Sequence, residues 1–197
     1  NFGGSSVLVD VGRMLRTFAF RMIFFSMENR IKDNSRCGVI GYGTWATALV
    51  YTLIRNGKEI WWHIRNDEVL ESVTTEGRNA KYLSDVELNK DKINATSDID
   101  DVVRNCEVIL VAAPSAYLRD FMSGLTESLD GKFILSATKG IVPEDYVTIT
   151  EYFNRNFAVP YDRLGLISGP SHAEEVSRNK LSYLTVATKD PENGRMI

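Results

Sequence analysis

A glycine-rich turn after a short apolar run constrains the fold of this chain more than any other feature. Residues 37–41 (Cys-Gly-Val-Ile-Gly) predict a buried strand, and the sequence continues as Gly41-Tyr-Gly43-Thr-Trp-Ala46. One face of a helix follows, with the spacing of Trp45, Ala48, Leu49, Thr52 and Leu53. A strand, a G-x-G-x-x-A turn and a helix in this order predict the opening of a βαβ unit.

The three small residues of this turn suit a ligand that carries phosphate. Gly41 permits the tight turn, Gly43 lets backbone N–H groups approach a pyrophosphate, and Ala46 lets the helix pack close to the strand. The helix N-terminus, where Thr44 and Trp45 lie, adds partial positive charge for the phosphates. The motif therefore predicts a dinucleotide site, with a plain glycine turn as the alternative.

The rest of the sequence repeats the alternation of strand and helix. Strands are predicted at residues 59–64, 93–96, 108–113, 133–137, 164–168 and 183–188. Helix starts are predicted at two capping boxes, Ser97 with Asp100 and Ser171 with Glu174, and a further helix around residues 146–154. Because the strands are apolar on both faces, we predict an α/β fold with a Rossmann-like, doubly wound, mostly parallel sheet and helices on both faces.

The pattern divides the chain into three parts. Residues 1–36 form an N-terminal extension that we expect to be loose, and residues 37–190 form the dinucleotide-binding domain. Residues 191–197, where a new helix would begin, are expected to start a connection to a further part of the protein beyond this chain. Since the chain begins without Met, and Met27 precedes a polar stretch leading into the first strand, residues 1–26 are expected to lie upstream of the natural start.

Composition argues against several partner classes. The formal net charge of −3 gives no reason to expect binding to nucleic acid or to a membrane surface. No apolar run approaches the roughly 18 residues of a membrane span. Cys37 and Cys106 lie singly in apolar runs, so we expect buried reduced thiols rather than metal ligands, and a cytoplasmic protein.

The end of the second predicted strand bears on the choice of dinucleotide. An acidic residue at this position binds the ribose 2′-hydroxyl of NAD, whereas an arginine accommodates the 2′-phosphate of NADP. This strand is followed by Arg65 and Asn66, with no acidic residue before Asp67. The sequence therefore favours NADP(H) and leaves NAD(H) open, with a solvated surface charge as the alternative role of Arg65.

Several spaced segments resemble the glycerol-3-phosphate dehydrogenase family. They are Gly-Thr-Trp-Ala-Thr-Ala-Leu at 43–49, Asn-Ala-Lys-Tyr-Leu at 79–83, Ala-Pro-Ser at 113–115 with Tyr117 and Arg119, Thr-Lys-Gly-Ile at 138–141, and Ser-Gly-Pro-Ser-His-Ala-Glu-Glu-Val at 168–176. The resemblance runs from about residue 37 to 190. His172 departs from it, because the family usually has Phe there.

The resemblance implies a role for individual residues. Cofactor contacts are implied for Thr44, Trp45, Arg65, Tyr117 and Ala173. Substrate contacts are implied for Gly169 and Ser171, and contacts with both ligands for Lys139. Because Lys139 follows a strand end, its ammonium can reach the carboxyl edge of the sheet and favour charge on a carbonyl oxygen.

The resemblance also implies a reaction. Family members interconvert sn-glycerol 3-phosphate and dihydroxyacetone phosphate with NAD(P)(H), for glycerophospholipid synthesis. In the family, the acid/base lysine belongs to a helical C-terminal domain, so this chain alone is expected to bind cofactor without turnover. A homodimer of the full-length enzyme stays open. Two alternatives remain: another Rossmann reductase, of ketopantoate or hydroxyacid type, and a non-catalytic NADP(H)-binding module. The segments around Lys139 and Ser171 argue against the first.

Overall fold

Short strands and helices alternate through residues 30–197, the part of the chain that this computed structural model describes. The strands are β1 Cys37–Ile40, β2 Ile60–His63, β3 Ile93–Thr96, β4 Val108–Val111, β5 Phe133–Ser136, β6 Ile141–Val142, β7 Val147–Thr148, β8 Leu164–Ser168 and β9 Thr185–Thr188. The α-helices are α1 Thr44–Arg55, α2 Asp67–Glu76, α3 Ile99–Asn105, α4 Leu118–Met122, α5 Ile149–Phe157, α6 Ala173–Ser177 and α7 Pro191–Met196. The seven predicted strands are confirmed, five of them one or two residues shorter than expected.

Seven of the strands form one sheet in the order β3-β2-β1-β4-β5-β8-β9. Neighbours pair in parallel except β9, which runs antiparallel to β8. The central strand β4 is buried throughout, as its hydrophobicity predicts. The strand order reverses between β1 and β4, and a crevice opens at the carboxyl ends of the strands at such a reversal. The predicted Rossmann-like sheet is therefore confirmed.

Helices cover both faces of the sheet. Alternate residues of β4 belong to different apolar clusters: Ile109 and Val111 pack with residues of α3, α4 and α5, whereas Val108 and Leu110 pack with residues of α1 and α2. This two-sided burial explains why the strands are apolar at every position rather than at every second one.

The residues just before β1 are bonded to the domain. The Ile31 N–H donates to the Asn193 side chain at 2.8 Å, and the Arg36 N–H donates to the Glu107 carboxylate at 2.7 Å. The compact unit accordingly starts at Ile31, six residues before the predicted boundary at Cys37. The predictions for residues 1–26 lie outside the described residues.

Other expectations concern cysteines and membranes. Cys37 and Cys106 are free thiols, and burial raises the pKa of Cys106 to about 12, so this thiol stays protonated at neutral pH. Within residues 30–197, no three acidic, histidine or cysteine side chains gather as metal ligands. No helix of the same residues has the length and apolar character to cross a membrane.

The predicted capping box of Ser97 and Asp100 is wrong. Asp98 caps α3, and its carboxylate accepts from the Asp100 N–H at 2.9 Å. The Asp100 carboxylate instead binds the loop after α4, accepting from the N–H groups of Thr126 and Glu127 at 2.9 and 3.0 Å and from the Thr126 hydroxyl. The Asp100 side chain therefore makes a tertiary contact instead of the helix cap that the local pattern predicted.

The helix predicted around residues 146–154 starts later than expected. Residues 141–148 form the β6–β7 hairpin, with Tyr146 in a left-handed conformation at φ 53°. Thr148 then caps α5 by accepting from the Glu151 N–H. Helical periodicity alone did not separate this hairpin from the helix.

The Asp100 contacts predict a loss of stability on truncation. We expect Asp100→Ala to lower the free energy of unfolding at pH 7 by about 2 kcal/mol, because hydrogen bonds to a charged group contribute about 1.5–3 kcal/mol. Urea unfolding followed by circular dichroism measures the change. Asp130→Ala, an exposed carboxylate in the nearby turn, is the control and should have little effect.

The same variant should respond to pH. Burial of the carboxyl raises the pKa of Asp100, but the hydrogen bonds from Thr126 and Glu127 outweigh it and hold the pKa below its ordinary value of 3.8. A depressed folded-state pKa contributes stability above the unfolded-state pKa, and this contribution is lost as pH falls through the folded-state pKa. The difference between wild type and Asp100→Ala should therefore shrink below about pH 4. A difference independent of pH would contradict this account.

Candidate functional site

A cleft of about 470 Å³ opens at the carboxyl ends of the central strands. Four separate segments line it: residues 43–45 at the start of α1, 112–116 after β4, 137–139 after β5, and 171–174 at the start of α6. All four follow strands of the parallel part of the sheet, namely β1, β4, β5 and β8, which is the position of ligand sites in open α/β sheets. The fold thus gathers segments that are up to 131 residues apart in sequence.

The glycine turn is shaped for a phosphate group. Gly41 has φ +114°, and a Cβ there would lie 2.8 Å from the backbone of Ala112 and Ala113, so only glycine fits. A Cβ on Gly43 would meet no atom within 4 Å, because this residue faces open space at the cleft. No side chain caps α1, and its first turn contains no acidic residue. The first N–H groups of the helix therefore have no side-chain acceptor, and the helix N-terminus carries partial positive charge, which suits an anion.

A buried tryptophan is hydrogen-bonded to the backbone of this turn. Trp62 in β2 is fully buried, and its indole Nε1 donates to the Gly41 carbonyl oxygen at 2.7 Å. The bond links the C-terminal half of β2 to the point where β1 turns into α1. Sequence reasoning assigned Trp62 no role, because a tryptophan in an apolar strand is typical of a core.

The Asn79 side chain is hydrogen-bonded to the same turn. It is fully buried, and its Nδ2 donates to the Tyr42 carbonyl and to the Thr47 hydroxyl, both at 2.8 Å. Its Oδ1 accepts from the backbone of residues 81 and 82. Asn79 belongs to one of the family-like segments, but no function was predicted for it. The structure shows that it fixes the middle of the glycine turn.

Arg65 lies just beyond the end of β2, as predicted, and is already bonded. Its guanidinium donates to the backbone oxygen and to the carboxylate of Asp120, both at 2.9 Å. The guanidinium carbon lies 4.0 Å from the centre of the Phe121 ring. The Arg65 Nε is buried, with no hydrogen-bond partner among the described residues. Asp120, which sequence reasoning missed, is the acidic neighbour of this position.

His63 is the last residue of β2, two positions before Arg65. It is 2% exposed and contacts Phe121 edge to face. Burial, followed by the charge of Arg65, lowers the pKa of His63 to about 4. The imidazole is therefore neutral at pH 7 and adds no positive charge for a phosphate.

Lys139 projects from the loop after β5 into the lining of the cleft. It is exposed, and it forms no hydrogen bond or ion pair with another described residue. The preceding Thr138 hydroxyl donates to the carbonyls of Val111 and Ala113, at 3.2 and 2.8 Å, which fixes this loop against the end of β4. Tyr117 is 60% exposed and lies next to the lining residues 115–116 rather than among them.

The segment around Ser171 departs from its predicted capping box. The N-cap of α6 is His172, which makes no side-chain capping bond. Ser171 is 4% exposed, and its hydroxyl donates to the Tyr183 carbonyl at 2.9 Å. Gly169 has φ +149°, and a Cβ there would lie 2.3 Å from the same carbonyl. The Ser-Gly-Pro-Ser segment is thus held against residue 183, and it presents Ser171, His172 and Ala173 to the cleft.

The structure therefore gathers most of the predicted site residues. Six line the cleft: Gly43, Thr44, Trp45, Lys139, Ser171 and Ala173. Gly41 and Ala46 are buried behind it, while Arg65, Tyr117 and Gly169 lie outside its lining.

This fold and cleft define a Rossmann-type protein with a glycine turn at the strand reversal. The sequence profile of the family described as NAD-dependent glycerol-3-phosphate dehydrogenase N-terminus matches residues 36–194. The chain belongs to this family.

Full-length relatives agree with that assignment. Glycerol-3-phosphate dehydrogenase (NAD(P)+) of Ectopseudomonas mendocina is 33% identical over 154 residues, covering 78% of this chain and 44% of that protein. The enzyme of the same name from Oceanobacillus iheyensis is 31% identical over 161 residues, covering 81% and 46%. The chain thus spans slightly less than half the length of these curated relatives.

Solved structures share the fold. The crystal structure of glycerol-3-phosphate dehydrogenase from Coxiella burnetii matches with a TM-score of 0.72 at 23% identity, covering 83% of this chain and 50% of that one. The yeast enzyme matches with a TM-score of 0.69 at 23% identity, covering 80% and 48%.

The bonds of Asn79 predict a positioning role for this residue. We expect Asn79→Ala to weaken NADPH binding about tenfold, because it frees the Tyr42 carbonyl and lets the turn depart from the geometry that presents its N–H groups. Calorimetric titration of the chain with NADPH measures the dissociation constant.

The control separates positioning from stability. Asn154→Ala removes a comparable side-chain bond to the Val159 carbonyl, away from the cleft. It should lower the unfolding midpoint but leave NADPH affinity unchanged. Equal affinity for the Asn79→Ala variant and wild type, with both folded, would show that the turn holds its shape without Asn79.

Proposed function

We propose that this chain is the cofactor-binding half of a glycerol-3-phosphate dehydrogenase, which interconverts sn-glycerol 3-phosphate and dihydroxyacetone phosphate with NAD(P)(H). The observation that carries the proposal is the convergence of the glycine turn, Lys139 and Ser171 on one cleft. A phosphate-binding turn alone suits any dinucleotide enzyme. A cation and a hydroxyl that line the same cleft add groups that can bind a polar substrate.

The residues of the turn bind the cofactor phosphates. The N–H groups of Thr44 and Trp45 donate to the pyrophosphate at the start of α1, and Gly43 leaves room for its approach. Arg65 binds the 2′-phosphate, so NADP(H) is preferred over NAD(H). Tyr117 lies beside the cofactor at the strand reversal, and Ala173 contacts it from α6.

Lys139 and the Ser171 segment bind the substrate. When bound, a nicotinamide cofactor would supply or accept the hydride exchanged with C2 of the three-carbon phosphate. The Lys139 ammonium attracts the anionic substrate and stabilises negative charge on the C2 oxygen. The Ser171 hydroxyl, which already donates to the Tyr183 carbonyl, can accept a hydrogen bond from a substrate hydroxyl. Gly169 lies outside the cleft lining and acts by setting the course of the segment that presents Ser171. The proton-transfer lysine belongs to the part of the enzyme that this chain does not include.

The cellular setting follows from the same proposal. The reaction supplies glycerol 3-phosphate for glycerophospholipid synthesis in the cytoplasm, where free thiols such as Cys37 and Cys106 persist. A ketopantoate or hydroxyacid reductase is not favoured, because the profile and the named relatives all belong to one family.

Cofactor preference is tested through Arg65. We expect the chain to bind NADPH more tightly than NADH, and Arg65→Ala to reduce NADPH affinity about tenfold or more, since an arginine–phosphate contact contributes about 1.5–3 kcal/mol. Calorimetric titration with each cofactor measures both constants. Arg178→Ala is the control, because Arg178 also pairs with a carboxylate, that of Asp85 at 3.1 Å, outside the cleft. Equal affinities for NADPH and NADH would remove the preference for NADP(H).

Catalysis is expected to need more than this chain. The chain should bind NADPH yet leave its absorbance at 340 nm unchanged when dihydroxyacetone phosphate is added, because no residue here is assigned the proton transfer. A full-length relative under the same conditions is the positive control. Steady oxidation of NADPH by the purified chain would place the acid/base group within residues 1–197.

A further inference from the structure

The acid that sequence reasoning did not find at the end of β2 is present in space. Arg65 follows β2 with no acidic residue before Asp67, yet the carboxylate of Asp120, 55 residues later, lies 2.9 Å from the Arg65 guanidinium. It comes from α4, which follows β4, and β1 lies between β4 and β2 in the sheet. The position that selects between the two dinucleotides therefore carries a cation and an anion together.

We propose that Asp120 is a specificity-determining residue: it competes with a 2′-phosphate for Arg65 and thereby limits the preference for NADP(H) over NAD(H). The inference rests on the proposed cofactor site. It adds a residue from a different element, acting in the opposite direction to Arg65.

The geometry separates the two bonds between Arg65 and Asp120. One goes to the Asp120 backbone oxygen at 2.9 Å, and it persists whatever side chain stands at position 120. The guanidinium carbon also lies 4.0 Å from the centre of the Phe121 ring, a cation–π contact that stabilises this position of Arg65. Arg65 is thus held in place without the carboxylate, so a substitution at Asp120 changes the charge beside Arg65 more than the orientation of Arg65.

The carboxylate can give way to a ligand. The Asp120 side chain is 67% exposed, whereas that of Arg65 is 32% exposed. A phosphate dianion that reaches Arg65 must displace Asp120 or tolerate its negative charge nearby, which is unfavourable in either case. A ribose hydroxyl, in contrast, can donate to the same carboxylate. The charge at Asp120 therefore disfavours NADPH and does not disfavour NADH.

The two cationic or titratable side chains nearest in sequence or packing do not pair with Asp120. Arg119, the neighbour of Asp120, forms ion pairs with Asp145 and Glu144 instead. His63, which packs against Phe121, is neutral at pH 7 because burial lowers its pKa to about 4. Asp120 is bonded to Arg65 alone among the ion pairs of residues 31–197.

The test measures a ratio of affinities. Calorimetry gives the dissociation constants of NADPH and NADH for wild type and for Asp120→Asn, with folding checked by circular dichroism. We expect the ratio of the NADH constant to the NADPH constant to rise about tenfold in Asp120→Asn, as removal of one nearby like charge implies. Asp85→Asn removes an equivalent carboxylate from the Arg178 ion pair, and it should leave the ratio unchanged.

A double substitution tests the dependence on Arg65. In an Arg65→Ala background, Asp120→Asn should raise the ratio by less than in the wild-type background, because there is no cation left for which the carboxylate competes. Asp120→Ala serves as a second variant and should agree with Asp120→Asn.

The possible outcomes are distinct. An unchanged ratio with both cofactors bound would make the pair an ordinary surface ion pair and overturn this inference alone. An equal gain in affinity for both cofactors would also overturn it, because it would show only a general effect of net charge. A folded wild-type chain that binds neither cofactor would overturn the proposed function as well.

Discussion

The close approach of Gly41 to the end of β4 is the contact on which the rest of the site depends. The backbone of residues 112–113 occupies the volume that any Cβ at Gly41 would need. This approach brings the turn between β1 and α1 against the neighbouring strand at the reversal of strand order, where the cleft opens. A side chain at Gly41 would separate the two strand ends and displace the start of α1, and with it the N–H groups that face the cleft.

Two buried side chains preserve the shape of that turn. Trp62 bonds the Gly41 carbonyl and Asn79 bonds the Tyr42 carbonyl, so consecutive carbonyls are held from two directions. Carbonyls that are bonded inward leave the N–H side of the turn and of α1 open to the ligand. Rigid backbone donors of this kind lose little freedom when an anion binds, which is how a short loop can bind phosphate without a charged side chain.

The sequence predicted the features that are local. Strand positions and the glycine turn each follow from a few adjacent residues, and the structure agrees with them. The two capping boxes were wrong because a Ser-x-x-Glu or Ser-x-x-Asp spacing does not say where a helix starts; Asp100 and Ser171 instead bond residues 26 and 12 positions away. Partners at such distances are set by the fold, and no local pattern indicates them.

The candidate site shows the same division. The lining residues Gly43, Lys139 and Ser171 could be predicted, because each belongs to a motif that follows or precedes a recognisable element. Asp120 could not be predicted, because its contact with Arg65 depends on the position of β4 beside β1 in the folded sheet. A rule that assigns cofactor preference from the end of β2 treats that position as one residue, whereas here the local charge is the sum of two. The net positive charge at the end of β2 is therefore smaller than Arg65 alone implies, because the Asp120 carboxylate lies 2.9 Å from the Arg65 guanidinium.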